Sequence, residues 1–351
     1  MRDLDWRLTV PVEAGFAPDL ADRLADALED GRAANLHGVV VIRHGRLVLE
    51  RYGAGEDYKW NRSLGPVIFG PDTLHDVRSV TKSVVGLLYG IALADGRVPG
   101  PEEPLLRHFP EYPDLAADAR RARLTVEHAL TMTLGLEWNE DVPYTSPANS
   151  EIAMELAPDR HRFVLERPIV EEPGRRWTYS GGAAALVGRL IVKGTGQPLS
   201  QFARGALFEP LGVGAFEWMA GEDGVASAAS GLRLTPRDLA RIGQTVLDNG
   251  RWAGREVIPA AWLGVALRPH VRIAEGFDYG YQWYLGTLPA AARGGAGPLR
   301  WAGGMGNGGQ RLFVAPELEL VVAITAGNYD TADQSTTPAT VLDVILGGVE
   351  R

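Results

Sequence analysis

The stretch RSVTKSVV, residues 78–85, decides how this chain is read. Lysine occurs only at Lys59, Lys82 and Lys193, and every other basic residue is arginine. A chain that meets its cationic needs with arginine places a lysine three residues after Ser79. From Ser79 onward the apolar positions Val80, Val84, Leu87, Leu88 and Ile91 follow helical spacing over a broad face, and Asp95-Gly96 ends the run. The spacing predicts a buried helix with Ser79 and Lys82 in its first turn, on one face. A serine hydroxyl is a poor nucleophile until a base takes its proton. A lysine desolvated among apolar groups can have its pKa lowered enough to act as that base, whereas a guanidinium is never deprotonated in proteins. The helix start also aims backbone N–H groups and the positive end of the dipole at an anion forming on Ser79. On spacing alone the plainer reading wins: Ser79 is an N-cap and Lys82 a solvated first-turn residue. Context reverses that order, because a solvent-facing lysine fits poorly at the head of so apolar a helix.

Two elements downstream supply what such a site needs. Tyr179-Ser180-Gly181 follows EEPGRRW and precedes a helix; a phenol beside a cation can move a proton to a leaving group, contributing about 10² to 10⁴ in rate. WAGGMGNGGQ, residues 301–310, runs into a terminal strand, and its glycines let a backbone N–H approach a substrate carbonyl closely. Taken singly, the first is a core tyrosine and the second a flexible turn.

The remaining pattern sets the architecture. APDLADRLADALEDG is a helix, and GVVVIR and RLVLERY form a hairpin about His44-Gly45. A proline-rich stretch at 98–115 opens about a hundred residues of helical character. There LTVEHALTMTLGLEW has Thr125 as N-cap and Gly135 as stop, and GGAAALVGRLIVKGTG is a helix closed by Gly194 and Gly196. LTPRDLARIGQTVLDNG starts a helix with Thr235 at the cap and Pro236 at the first position. Two apolar strands flank Pro316-Glu317, and TTPATVLDVILGGV closes as a helix. Strands at both ends with helices between predict an α+β fold: an antiparallel sheet flanked by N- and C-terminal helices, built from residues 1–100 and 215–351, with an all-helical insertion over 101–214 and the site in the cleft between.

Bulk properties exclude several functions. The chain has 351 residues, enough to bury roughly 75 % of its unfolded surface. The net charge of −9 and the absence of a basic block argue against nucleic acid. There is no cysteine, so disulfides and thiolate chemistry are excluded. The seven histidines lack a pairing such as H-E-x-x-H, no metal or other cofactor is expected, and G-x-S-x-G is absent. The opening MRDLDWRLTV carries Asp3 and Asp5 and no apolar leader, and the apolar run from Val84 is far shorter than the roughly 20 residues of a membrane span. The expectation is a cytoplasmic protein with no membrane partner.

In this order, Ser79-Val80-Thr81-Lys82, LTVEHALTMTLGLEW, EEPGRRWTYSGG, GLRLTPRDLARIG, YGYQWY and GGMGNGGQRLFVAPELELVVAITAGNY resemble the serine β-lactamase and penicillin-binding-protein superfamily, in its class C-like branch of esterases and 6-aminohexanoate-dimer hydrolases. The likeness covers most of the chain. It implies Ser79 as acylated nucleophile, Lys82 as its base and Tyr179 as the acid/base of a Tyr-x-Asn element, acting on a small ester or amide. The third position of that element is Gly181 here, so the amide that would hold the lysine and the substrate is missing. A Lys-Thr-Gly strand element is replaced by Gly304-Met305-Gly306, which makes Asn307 the second oxyanion donor beside Ser79; an ungapped comparison from Pro316 makes Gly304 the donor instead. Tyr144, Gly181 and Gly306 are implied to line the substrate. Lys193-Gly194-Thr195-Gly196 is a decoy that follows a helix. Two rivals remain: a β-lactamase or D,D-peptidase, disfavoured by Gly181 and the lost cation, and a catalytically silent binding protein of the same fold.

Overall fold

The structure is a computed structural model describing residues 6–221, 223–288 and 298–350; Asp3 and Asp5 lie outside the described residues. Its main sheet has strands β1 (Leu36–Arg43), β2 (Arg46–Tyr52), β3 (Val271–Ala274), β4 (Phe277–Tyr279), β5 (Tyr284–Leu288), β6 (Leu299–Gly306), β7 (Gln310–Ala315) and β8 (Leu320–Ala326). They lie in the order β3-β4-β5-β6-β7-β8-β1-β2, each pair antiparallel. The β1–β8 pairing stitches the two ends of the chain together, as the terminal strand patterns predict. His44 and Gly45 both have positive φ, +53° and +67°, the backbone that a two-residue hairpin of right-handed twist requires.

The central strands β1 and β8 are buried along their whole length because both faces of the sheet are covered there. Val39 and Val41 of β1 and Val322 and Ile324 of β8 pack with Leu20 and Leu24 of the first helix (Leu20–Glu29) and Val341 and Ile345 of the last (Thr336–Gly347). Their neighbours Val40, Ile42, Val321 and Ala323 point the other way, into a second core with Val80 and Val84 and with Leu239 and Ile242 of the helix Pro236–Leu247. This is the two-residue alternation of a strand. Thr235 caps Pro236–Leu247 by accepting the Asp238 N–H, as expected.

The helix Val80–Ala94 is the axis of the molecule, buried on every side from Val80 to Ala92. One side meets the sheet and another meets Gly181–Thr195, the long helix among the elements from Leu105 to Leu211, all of which are helical. Two expectations about glycines need correction. The helix capped by Thr125 spans only Val126–Leu130, and Met132 turns the chain at φ +58°. Gly135 is needed instead where a Cβ would lie 2.3 Å from the Glu171 carbonyl oxygen. Gly194 lies inside its helix, packed on the Arg97 carbonyl, and Gly196 alone, at φ +69°, is the left-handed cap.

Candidate active site

The turn into the helix Val80–Ala94 presents Ser79. Arg78 before it adopts φ +49°, a conformation uncommon outside glycine and held here from several sides. Its N–H donates to Asp76 Oδ1 at 2.9 Å, its guanidinium donates to the Trp60 carbonyl, and its Cζ lies 4.6 Å from the Tyr329 ring centroid. Ser79 itself takes helical dihedrals at the N-cap without a side-chain capping bond, so its hydroxyl is left for other work. The N–H groups of Val80, Thr81 and Lys82 turn back on Val77, Arg78 and Ser79.

Lys82 is 2 % exposed, and its Nζ donates to Ser79 Oγ at 3.1 Å, to the Ala229 carbonyl at 2.8 Å and to Glu151 Oε2 at 3.4 Å. Three donors with three acceptors describe an ammonium. This corrects the expectation of an amine pushed towards neutrality by apolar neighbours. Burial is the largest single influence and does push Lys82 down. Glu151, then Tyr179 and Glu140, together outweigh it, so the amine is held above the ordinary lysine range. The ammonium also stands 4.7 Å from the Tyr179 ring centroid. Burial raises the Tyr179 phenol, the Lys82 charge offsets part of that, and Glu140 and Glu151 raise it further, so the resting phenol is protonated.

The carboxylates beside Lys82 come from the segment before the helix Ser150–Glu155 and from that helix. Glu151 is 3 % exposed, and its Oε1 accepts from Ser230 Oγ at 2.9 Å. Asn149 caps the helix by accepting the N–H groups of Glu151 and Ile152. Glu140 accepts from Trp138 Nε1 at 2.6 Å, from the Gly181 N–H at 2.5 Å and from the Tyr144 hydroxyl at 2.7 Å. Burial, and then repulsion by Glu151, push its carboxyl up to about 7 against the pull of Lys82.

Most of the residues named from sequence converge here. Ser79, Tyr144 and Asn307 line one narrow cleft with Glu151, Ile152 and Ser230. Gly181 starts the helix Gly181–Thr195 and donates its N–H to Glu140. Gly306 ends β6 against the nucleophile turn, where a Cβ would meet the Val77 carbonyl oxygen at 2.6 Å. Gly304 sits deeper, with its Cα facing Val80 and Ser83. The Asn307 side chain is held by Asp330, which it donates to at 2.8 Å and accepts from at 3.0 Å. Lys193 is elsewhere, bonded to the His108 carbonyl and Glu111. Among the described residues no group of acidic and histidine side chains is arranged to hold a metal ion, and no helix is long and apolar enough to cross a membrane. Glu140, Glu151 and Ser230 escaped the sequence reading. The cap at Asn149 marks a helix start, but nothing in it points to Lys82, 69 residues earlier than Glu151.

With this geometry, the beta-lactamase family profile matches residues 21–344. The chain belongs to the beta-lactamase family. Within that family it is similar to "6-aminohexanoate-dimer hydrolase" of Paenarthrobacter ureafaciens, 24 % identical over 87 % of this chain and 74 % of the relative. It is also similar to "Esterase EstB" of Burkholderia gladioli, 30 % identical over 56 % of this chain and 51 % of the relative. The fold agrees with that of EstCE1, described as a hydrolase with promiscuous acyltransferase activity, at a TM-score of 0.73 with 18 % identity, covering 94 % of this chain and 99 % of the other. A penicillin-binding-protein homologue from Caulobacter crescentus superposes with a TM-score of 0.68 at 20 % identity, over 95 % and 99 % of the two chains. The α+β sheet with flanking helices is therefore the fold of the beta-lactamase family.

Proposed function

We propose that this member of the beta-lactamase family is a serine hydrolase that cleaves small esters or amides through an acyl-enzyme on Ser79. The observation that carries the reading is Lys82 Nζ at 3.1 Å from Ser79 Oγ, with the Tyr179 ring over the same nitrogen. The cleft lies where the helical insertion assigned to 101–214 meets the sheet unit of 1–100 and 215–351. Lys82, after releasing its extra proton to solvent, accepts the Ser79 hydroxyl proton as Oγ bonds to the substrate carbonyl carbon. The carbonyl electron pair moves onto oxygen, where the N–H groups of Ser79 and Asn307 receive it; one such donor is typically worth about 10² to 10³ in kcat. Asn307 is preferred to Gly304 for this role because it shares the cleft with Ser79. Collapse breaks the bond to the leaving alkoxide or amine, which takes the Tyr179 hydroxyl proton, and Lys82 returns that proton to Tyr179. Water, deprotonated by Lys82 directly or through Tyr179 whose own proton passes to Lys82, then attacks the acyl carbon, and that proton goes to Ser79 Oγ as the acyl bond breaks. Tyr144, Gly181 and Gly306 border the substrate.

The names of the relatives support esters and amides as the substrate class. No lysine stands at 304–306, where the Lys-Thr-Gly strand element would place its cation. The test is a stopped-flow trace with a p-nitrophenyl ester of a short acid, with intact mass recorded in parallel, on the parent and on Ser79→Ala. A burst and an acyl mass increment in the parent alone are expected. Equal slow rates and no adduct in both would put the binding-protein reading in its place.

A further inference from the structure

The space beside Gly181 is occupied by a carboxylate from another part of the chain. A Cβ built on Gly181 would lie 2.4 Å from Glu151 Oε2, 2.9 Å from its Cδ and 3.0 Å from its Cγ. That same Oε2 is the atom 3.4 Å from Lys82 Nζ. Any side chain at 181 therefore competes with Glu151 for one volume. The carboxylate is not a loosely placed neighbour: it is buried, Ser230 donates to its other oxygen, and Asn149 caps its helix while donating to the Val142 carbonyl at 2.8 Å.

We propose that Glu151 is the positioning residue for Lys82, holding its ammonium beneath Ser79 from the volume that Gly181 leaves open. This rests on the reading of Lys82 as the base for Ser79. Glu151 acts through the lysine in two ways. It fixes one of the three donor directions, which keeps Nζ within reach of Ser79 Oγ, and it supplies the negative charge that keeps the resting lysine protonated. The other groups facing Lys82 are Tyr179 from the start of the helix Gly181–Thr195 and Glu140, whose carboxylate is engaged by Trp138, Gly181 and Tyr144. Glu155, next along the helix from Glu151, is turned to Arg160 at 2.8 Å. Glu151 is thus the carboxylate in direct contact with the ammonium.

The experiment compares Glu151→Gln, Glu151→Ala, Gly181→Ala and the double Glu151→Ala/Gly181→Ala with the parent. Gly181→Ala changes neither Lys82 nor Glu151, yet its methyl must push the carboxylate away. Two readouts are taken. The first is the pH profile of kcat and kcat/KM for p-nitrophenyl butyrate. The second is titration of the Lys82 Cε resonance in protein labelled with 13C-lysine, where three lysines give three signals and Lys82→Met assigns one. Glu151→Gln should lower the Lys82 pKa by about 1 to 3 pH units, moving the acid limb of kcat/KM to lower pH by the same amount. Loss of positioning should lower kcat by about 10²-fold with KM changed little. Gly181→Ala should reproduce both effects, and the double variant should be no worse than Glu151→Ala, because the two changes remove one contact. A Lys82 resonance that titrates identically in parent and Glu151→Gln would overturn the proposal, as would additive losses in the double variant. The NMR titration needs no turnover, so a parent that never acylates would refute the hydrolase reading while leaving Glu151 judged on its own.

Discussion

Glu140 makes the stability of this protein depend on pH in a direction opposite to that of a salt-bridged carboxylate. Its carboxyl rises from an ordinary 4.5 to about 7 because burial and the neighbouring Glu151 charge both disfavour ionisation. With the folded-state pKa above the unfolded one, the folded protein holds the proton more tightly. That contribution is complete below about pH 4.5 and is lost as pH rises through about 7. At roughly 1.4 kcal/mol per pH unit, ionising Glu140 in place costs about 2 to 3 kcal/mol by pH 8 and under about 1 kcal/mol at pH 5. Glu140→Gln removes the titration and keeps the contacts. The amide oxygen can accept from Trp138 Nε1 and the Gly181 N–H, and the amide nitrogen can donate to the Tyr144 hydroxyl. Urea unfolding of parent and variant at pH 5, 6, 7 and 8 should show curves that nearly coincide at pH 5 and a variant more stable by about 2 to 3 kcal/mol at pH 8, with equal m values. A gap that is constant across pH, or one that favours the parent at pH 8, would refute the electrostatic account of this cluster.

Three further outcomes follow from the same contacts. Lys82→Arg keeps a cation for Glu151 but cannot become neutral, so burst kinetics should show hydrolysis reduced by about 10³-fold or more while circular dichroism shows an intact fold. Arg233→Met strips a buried carboxylate of its cation: Arg233 meets Asp57 at 2.6 and 3.2 Å with both side chains 5 % exposed, and the loss, read by urea unfolding at pH 7, should be about 3 to 5 kcal/mol. Gly90→Ala would place a methyl 2.0 Å from Trp262 Cδ1, where the indole is already tied to the Gly86 carbonyl, so a drop of about 1 to 3 kcal/mol in the same assay is expected; an unchanged midpoint would mean that the ring moves freely.

What could be read in advance was local. The apolar spacing after Ser79 defines the buried helix, Thr235-Pro236 defines a helix start, and His44-Gly45 defines a hairpin, each through geometry that a few neighbouring residues impose. Ser79 and Lys82 were legible as a pair because they share a helix face; Tyr179 was singled out by its place before a helix and by the family resemblance, and only packing puts its ring centroid 4.7 Å from Lys82 Nζ. The single glycine at 181 looked like a loss, since only the missing side chain was visible. Its meaning lay in Glu151, which no spacing rule connects to it.

By itself, then, the sequence determined the buried helix after Ser79, the hairpin at His44-Gly45, the pairing of its two ends into one sheet, and a lysine in place of an arginine three residues after Ser79. The tertiary structure alone decided the charge on that lysine. A pKa is set by every group within a few ångströms, and Glu151 and Glu140 reach Lys82 only when the helical stretch folds back across the cleft.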